Sequence, residues 1–512
     1  MEIKYEKGSG NLGLKNFEEE QELEVKKEVK KEVKSFKKKD GDKRGVIGGI
    51  VAIILFFIFF LMPNPEGLSV EGQRSLAVFV FALVMWISRP IPIYQTSILA
   101  ILLLPMVNVL EKPKYAFETL GYEIIWLMVA AFVLSSAINH TNLGKRLALT
   151  LVTKLGTTPK GTLAAFVFSN FIIAFLVPST TARAALFVPL VMVLLEVYKQ
   201  VPGESKFGKL MTLQGIQNNA FATSMVMTAT SSQVLAIGFI NQMTGSNMGY
   251  MEWLMGSIPQ AVFSAVVMFV IGYKIYKVEG SLEAIGKSKE ILKGQLKALG
   301  EFSAEEKRVA IIFAFTILSW ATGNYQEGWF GFGLSTTQTA VISMLLCLLP
   351  KFGVLTWKEA DIKWDLMLFS AGAYAVGNAF NDTGGAGWLI GGLVEKYGIA
   401  SMSTEMVAVI LIFTTVFSHL VFTSKTVRTT ILIPTVITLA RTVGMDPVPI
   451  AMACSFGIAY TITLVPHSKV NALYFGTGYF NVLDQLKLGL LACFVGASGI
   501  SILYFTWLQI LY

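Results

Sequence analysis

Long apolar runs separated by short polar loops cover most of the chain. The first run is 45–62, and further runs follow in both halves of the sequence. Each is long enough to cross a hydrocarbon core of about 30 Å or to be interrupted inside it. These further runs are 75–88, 93–110, 123–140, 162–195, 210–240, 257–275, 309–326, 336–350, 365–392, 405–440, 447–475 and 487–512. The pattern predicts an all-α polytopic membrane protein with about eleven transmembrane helices.

Polar residues interrupt four of the runs near their middle. Runs 162–195 and 405–440 are too long for one straight span, and each has a Ser/Thr-rich tip. Backbone can be irregular at membrane depth only where protein or a water-filled cavity satisfies its hydrogen bonds. We therefore predict two re-entrant hairpins at 162–195 and 405–440, and two broken helices at 210–240 and 447–475.

The two halves of the sequence resemble each other. Glu123–Leu147 aligns with Asp365–Leu389 at a constant offset of 242 residues (123 to 365), and the hairpins align at an offset of 245 (179 to 424). The matched hairpin residues are Ser179 and Ser424, Thr181 and Thr426, Arg183 and Arg428, and Pro189 and Pro434. An odd number of predicted crossings separates the starts of the two units. The repeats are therefore predicted to have inverted topology, a transporter design with its site near the membrane midplane.

Charge divides the chain further and orients it. A basic cluster just before residue 45 is expected to keep the N-terminus cytoplasmic by the positive-inside rule, in a multi-pass protein of the cell membrane with its C-terminus outside. The predicted units are a charged cytoplasmic tail (1–44), a first transmembrane helix (45–62), a first repeat (63–273), a charged cytoplasmic linker (274–308) and a second repeat (309–512).

Composition excludes several classes of protein. The chain is 54% hydrophobic and 15% charged, whereas soluble domains carry about 25% charged residues. Its three cysteines lie in apolar runs without metal-ligand or disulfide spacing, so we expect no cofactor and no bound metal. The net charge of +8 comes without a basic-aromatic patch for nucleic acid. Neither an HExxH nor a GxSxG motif is present, and no paired intramembrane acids suggest an enzyme.

The hairpin tips carry the candidate chemistry. The helix after each tip directs free backbone N–H groups and the positive end of its dipole at the tip, which favours a carboxylate there. Ser and Thr hydroxyls can donate further hydrogen bonds. Two matched tips provide one seat for each carboxylate of a dicarboxylate. The alternative is that these hydroxyls only cap buried helix starts.

These motifs resemble the divalent anion:sodium symporter family, whose repeats each carry a Ser-Asn-Thr motif at a hairpin tip. The resemblance covers nearly everything from 45 to 512. The motifs fall on Ser179-Thr180-Thr181 and Ser424-Lys425-Thr426, so Thr180 and Lys425 replace the central Asn. In that family the tips and the broken helices hold a di- or tricarboxylate and sodium ions, so the resemblance implies a substrate site there. It also implies a homodimer, surrounded by lipid, that works by elevator-type alternating access.

Basic residues distinguish this chain from the sodium-coupled pattern. An ammonium group at Lys425 would repel Na⁺, and an ionisable residue in a membrane segment indicates function. The alternative is that Lys425 snorkels or pairs with a distant acid, since no acidic residue lies in 406–445. Arg183 and Arg428 stand four residues after each motif serine. They are expected to contact substrate or to tie the hairpin to backbone carbonyls. His467 and Ser468 lie at the second helix break, where the resemblance implies substrate-facing residues, and they complete the predicted substrate site. The alternative for a lone histidine is a structural role.

This pattern is similar to the exchanger branch of the family, which includes bacterial citrate/succinate and plastid 2-oxoglutarate/malate antiporters. We therefore expect sodium-independent exchange of C4/C5 dicarboxylates of the succinate, malate and 2-oxoglutarate type. A sodium-coupled di- or tricarboxylate symporter of the same fold is one alternative. An anion channel is another, since rings of Arg or Lys can select anions.

Overall fold

The computed structural model describes residues 41–155, 158–276 and 282–512. Every regular element in these ranges is helical, which confirms an all-α protein over this part of the chain. Residues up to 40, which hold most of the predicted cytoplasmic tail, lie outside the described residues.

The first half of the chain forms helices α1 to α11. They are α1 (Gly41–Leu61), α2 (Val70–Ser88), α3 (Ile93–Met106), α4 (Pro113–Phe117), α5 (Glu123–His140), α6 (Leu143–Leu155), α7 (Pro159–Leu176), α8 (Thr180–Val197), α9 (Lys206–Met225), α10 (Ser231–Thr244) and α11 (Tyr250–Tyr276).

The second half begins with a helix inside the predicted linker. Its helices are α12 (Leu282–Ala298), α13 (Ala304–Phe330), α14 (Thr336–Leu348), α15 (Trp364–Asp382), α16 (Gly385–Lys396), α17 (Thr404–Phe417), α18 (Lys425–Thr442), α19 (Pro447–Ile458), α20 (Lys469–Phe475) and α21 (Val482–Leu503). A π-helical turn, Tyr504–Leu508, extends α21.

Several helices suit a bilayer by length and composition. In the described ranges, six are long and apolar enough to cross one: Val70–Ser88, Pro113–His140, Pro159–Leu176, Thr180–Val197, Tyr250–Tyr276 and Val482–Leu511. Shorter apolar helices accompany them. Apolar side chains also face outward, as at Ile54, which is 52% exposed. The chain is therefore a multi-pass membrane protein.

The helix bounds recur at the offsets seen in the sequence. The hairpin arms α7 and α17 begin at Pro159 and Thr404, and α8 and α18 begin at Thr180 and Lys425. Both second arms are 18 residues long. Each predicted hairpin is thus a pair of helices joined at its Ser/Thr-rich tip.

The apolar run 365–392 is divided between two helices. Helix α15 ends at Asp382, Gly384 has a φ of +77°, and α16 begins at Gly385. A left-handed residue cannot continue a right-handed helix, and glycine adopts that conformation without a steric penalty. The first half has its own interruption, between α5 and α6.

Both predicted broken helices are interrupted, at 226–230 and 459–468. Their first segments, α9 and α19, lie at the centre of the molecule. Every residue of α9 from Leu210 to Met225 is buried, including the side chains of Gln217 and Asn219. Polar residues inside and apolar residues outside are the distribution that a membrane protein requires.

The linker region is anchored to the first half. Arg146, on α6, donates to the carbonyls of Leu299, Gly300 and Glu301. It also pairs with the Glu306 carboxylate at 3.1 Å. Burial raises the pKa of Glu306, but the hydrogen bonds from Arg146 and from the Ser303 backbone outweigh it, so the net pKa is lowered.

Candidate functional site

The first serine of each motif caps the helix that follows the tip. The Ser179 hydroxyl accepts from the Ala182 N–H at 3.3 Å, and the Ser424 hydroxyl accepts from the Val427 N–H at 3.4 Å. Both side chains are half-buried. A capping hydroxyl uses an oxygen lone pair and keeps its own proton. Each tip can therefore still donate one O–H bond to an anion.

The second motif residues are the first residues of the helices α8 and α18. Thr180 and Lys425 occupy these positions, and Thr181 and Thr426 follow; all four are half-buried. The Thr180 carbonyl accepts from Asn219 Nδ2 at 3.0 Å. This bond holds the first tip against α9.

Arg428 is fully buried, and each of its three nitrogens donates to a protein oxygen. Its Nε donates to Ser418 Oγ at 2.7 Å, Nη1 to the Ile458 carbonyl at 3.1 Å, and Nη2 to the Thr415 carbonyl at 2.6 Å. Hydrogen bonds to a charged donor contribute about 1.5–3 kcal/mol each. Arg428 therefore ties α18 to the ends of α17 and α19, as the carbonyl-tether alternative expects.

Arg183, its counterpart in the first half, is bonded differently. Its Nη2 donates to Thr223 Oγ1 and, at 3.4 Å, to the Asn219 carbonyl. Its Nε and Nη1 are buried without a partner among the described residues. Arg183 therefore tethers α8 to α9 through one nitrogen and retains two unused donors.

Lys425 lies half-buried at the second tip. Among the described residues, no ion pair involves its ammonium group. Arg183 and Arg428, one from each half of the chain, lie near enough for their positive charges to repel the Lys425 ammonium group. The tip region thus collects positive charge that an anion can neutralise.

Each hairpin contacts the broken helix of the other half. Helix α18 packs against α10, and α8 packs against α20. Thr429 Oγ1 donates to the Ser232 carbonyl at 3.3 Å, just after the first break. The crossed packing places the two tips and the two breaks around one centre.

Side chains satisfy the irregular backbone of the second break. Asn471 Nδ2 donates to the carbonyls of Thr461 and Leu464 at 2.8 and 2.7 Å. Ser468 caps α20 by accepting from the N–H groups of Val470 and Asn471. Backbone that is irregular at membrane depth requires such partners.

His467 belongs to a buried hydrogen-bond chain. Its Nδ1 lies 3.0 Å from Thr463 Oγ1, which lies 2.9 Å from His419 Nε2. His419 Nδ1 lies 2.7 Å from the Val416 carbonyl. The second break is therefore linked to the second hairpin.

Sequence reasoning missed several residues that support the site: Ser418, Asn219, Thr223 and Thr463. The run 210–240 has side-chain amides on successive helical turns, and such groups rarely lie in a membrane segment without a role. This pattern could have indicated Asn219 from the sequence. Among the described residues, no cluster of three or more His, Cys, Asp and Glu side chains could hold a metal ion.

Comparison with known proteins matches the sequence of this chain to a family model. A sequence model described as the sodium:sulfate symporter transmembrane region matches residues 44–512. A chloroplastic dicarboxylate transporter of Spinacia oleracea is 26% identical over 409 residues, covering 78% of this chain and 69% of the relative.

Two bacterial relatives are similar over most of both chains. A sodium-dependent dicarboxylate transporter of Staphylococcus saprophyticus is 25% identical over 456 residues, covering 85% of this chain and 86% of the relative. An L-tartrate/succinate antiporter of Escherichia coli is 25% identical over 457 residues, covering 84% and 91%. The names of all three relatives refer to dicarboxylates. One name specifies sodium dependence and another specifies antiport.

Proposed function

Because this chain belongs to the sodium:sulfate symporter family, the divalent anion:sodium symporters, we propose that it exchanges C4/C5 dicarboxylates across the cell membrane without sodium. The family is one of transporters, not enzymes. The names of the relatives support a dicarboxylate substrate. The observation that carries the exchange mode is Lys425, a cation without an ion pair to any described residue at a hairpin tip.

In this proposal the two tips hold the two carboxylates of the substrate. The hydroxyl protons of Ser179 and Ser424 donate to one carboxylate each, and the neighbouring Thr181 and Thr426 add hydroxyl donors. The N-terminal ends of α8 and α18 contribute their positive dipole ends. Each half of the chain thus provides one carboxylate-binding tip, which suits a substrate with a carboxylate at each end.

The basic residues and the broken helix then have distinct roles. Lys425 neutralises substrate charge where the sodium-coupled pattern would use Na⁺. Arg183 has two unused buried donors and contacts the anion near Thr180, whereas Arg428 holds the hairpin in position through its three protein bonds. His467 and Ser468 close the site at the second break.

The proposed arrangement is a homodimer with two inverted repeats, 63–273 and 309–512, after a first transmembrane helix. The linker 274–308 and the N-terminus are cytoplasmic, and both hairpins are re-entrant. The recurring helix bounds and the crossed packing of the hairpins support the duplication. Elevator-type movement follows from the family resemblance.

A tethered cation explains why exchange is obligatory. In a symporter the balancing cation leaves with the substrate, and the empty carrier returns without an unpaired charge. Here Lys425 and Arg183 would remain uncompensated after release of a dianion. Each unpaired basic group at the bilayer centre costs at least ~2.5–3.5 kcal/mol. Two of them slow the return of the empty carrier by a factor on the order of 10³ or more.

The test is uptake of labelled succinate or malate into proteoliposomes, with and without internal dicarboxylate and with choline in place of sodium. We expect saturable uptake only into loaded vesicles and no dependence on sodium. Lys425→Asn should raise uptake into empty vesicles relative to loaded ones, while Lys469→Asn, an exposed lysine near the second break, should not. Strong sodium-driven uptake into empty vesicles would refute exchange and support a symporter.

A further inference from the structure

The chain of His419, Thr463 and His467 determines where the protons lie. A carbonyl oxygen can only accept, so His419 Nδ1, at 2.7 Å from the Val416 carbonyl, carries a hydrogen. His419 is fully buried beside Arg428. A second positive charge is unfavourable there, because it would be both desolvated and repelled. His419 is therefore neutral, and its Nε2 presents a lone pair.

The direction of the remaining bonds follows from this lone pair. The Thr463 hydroxyl has one proton and donates it to His419 Nε2 at 2.9 Å. The Thr463 oxygen must then accept from His467 Nδ1 at 3.0 Å. A neutral His467 consequently has its hydrogen on Nδ1 and a lone pair on Nε2. The tautomer of His467 is therefore set by the Val416 carbonyl, through three successive hydrogen bonds.

The free nitrogen of His467 is accessible at the second break. The side chain is largely buried, at 7% exposure, but Nε2 is not one of the fully buried, unpartnered polar atoms of the described chain. Its neighbour in sequence, Ser468, caps α20 and is half-buried. His467 therefore offers a hydrogen-bond acceptor, where the tips and the basic side chains offer donors.

An acceptor cannot bind an ionised carboxylate, because two lone pairs would face each other. The uncharged substituent of a C4 or C5 dicarboxylate that can donate at neutral pH is a hydroxyl, and an ammonium substituent would be repelled by the nearby Lys425 and Arg428. Resting on the proposed function, we propose that His467 Nε2 accepts a hydrogen bond from the C2 hydroxyl of the substrate, so that the transporter prefers 2-hydroxydicarboxylates to their unsubstituted counterparts. Succinate and glutarate leave this acceptor unpaired in the occupied site.

The first experiment uses the unaltered protein. Proteoliposomes loaded with malate take up labelled malate in competition with glutarate, 2-hydroxyglutarate or 2-oxoglutarate, which have equal chain length. One neutral hydrogen bond corresponds to about three- to ten-fold in affinity. We expect 2-hydroxyglutarate to compete better than glutarate by that factor. We expect 2-oxoglutarate, whose keto oxygen only accepts, to compete no better than glutarate.

Two results of this series would overturn the inference. One is equal inhibition by glutarate and 2-hydroxyglutarate. The other is an equal gain for the keto and hydroxy compounds, which would mean that the protein donates at this position. The series can be run in sodium as well as in choline, so sodium coupling would defeat the exchange mode without affecting this result. Absence of all dicarboxylate uptake would defeat both proposals.

Variants locate the preference at this nitrogen. His467→Ala should make glutarate and 2-hydroxyglutarate inhibit about equally, so that the ratio of their inhibition constants falls from three- to ten-fold to about one. Thr463→Val keeps the side-chain shape but releases the His467 tautomer, and it should reduce the ratio. His140→Ala, which changes an exposed histidine at the end of α5, should keep it. An unchanged ratio in His467→Ala would contradict the assignment.

Discussion

At the residue scale, two arginines at matched positions have different surroundings. Arg428 donates from all three nitrogens to oxygens of α17 and α19, whereas Arg183 leaves Nε and Nη1 unpartnered among the described residues. Burying a charged group without partners is unfavourable. A bound anion would supply the missing partner for Arg183, whereas Arg428 is already satisfied by protein.

Substitution should separate the two roles. Arg428→Leu leaves three buried oxygens without their donor and should lower the melting temperature and folded yield strongly. Arg183→Leu removes a less satisfied group, so it should retain more stability but weaken dicarboxylate binding about ten-fold or more. Thermal unfolding in detergent and competition for labelled substrate measure the two effects. Equal losses of stability in both variants would argue against different roles.

The motif serines give a second prediction at this scale. Ser179→Ala and Ser424→Ala should each weaken substrate affinity about ten-fold, because a hydrogen bond to a charged group contributes about 1.5–3 kcal/mol. Ser169→Ala is the matched control, since the Ser169 hydroxyl donates within its own helix, to the Ala165 carbonyl. Wild-type affinity in both tip variants, with normal expression, would move the site elsewhere.

At the element scale, helix ends and their side-chain partners position the site. The polar breaks are held by amide and guanidinium donors, such as Asn471 on the carbonyls of Thr461 and Leu464. The linker helix α12 packs against α6 and α8. Arg146 donates to the carbonyls that follow the end of α12 and pairs with Glu306 at the start of α13. The second arm of the first hairpin is thus connected to the linker through packed helices.

The Arg146–Glu306 pair predicts a pH-dependent contribution to stability. The folded-state pKa of Glu306 is lowered by its bonds to Arg146 and Ser303, against the opposing effect of burial. A carboxyl with a lowered pKa stabilises the fold above its unfolded pKa, and the contribution is lost as pH falls through the folded pKa.

Thermal unfolding at several pH values tests this contribution. Glu306→Gln should melt below the wild type near neutral pH, and the difference should shrink on acidification below the ordinary range of a glutamate. Glu305→Gln, at the exposed neighbouring position, is the control and should show no such convergence. A difference for Glu306→Gln that is constant with pH would contradict the ion-pair contribution.

At the scale of the whole molecule, two halves cross around one centre. The second arm of each hairpin, α8 or α18, packs against the second segment of the other half's broken helix, α20 or α10. Neither half alone would bring together Arg183, Lys425 and Arg428. In the proposed function, a site completed by both halves fits a carrier that moves a substrate between two sides of a membrane.

Membrane orientation gives the prediction at this scale. A cysteine replacing Glu290 in the linker should be labelled only from the cytoplasmic side, and one replacing Tyr512 only from outside, because loop charge orients the helices. The three native cysteines are buried and serve as a low background. Labelling of both positions from the same side would rule out the inverted repeats.

The sequence by itself determined the class of protein and most of the local structure. Apolar runs, the Ser/Thr tips and the matched offsets predicted helix starts such as Thr180 and Lys425, because helix formation and capping depend on neighbouring residues. The family followed from the same motifs. The run 365–392 is interrupted locally, at Gly384, whose left-handed conformation an apolar pattern does not reveal.

Only the tertiary structure decided which buried polar groups bond to one another. Arg428 reaches Ile458, 30 residues away, and Thr429 reaches Ser232, 197 residues away. Arg183 and Arg428 occupy equivalent positions in the sequence, yet their bonds differ because different oxygens pack around them. The tautomer of His467 likewise depends on Thr463 and His419, which only packing aligns. Such contacts depend on three-dimensional packing, which spacing along the chain does not specify.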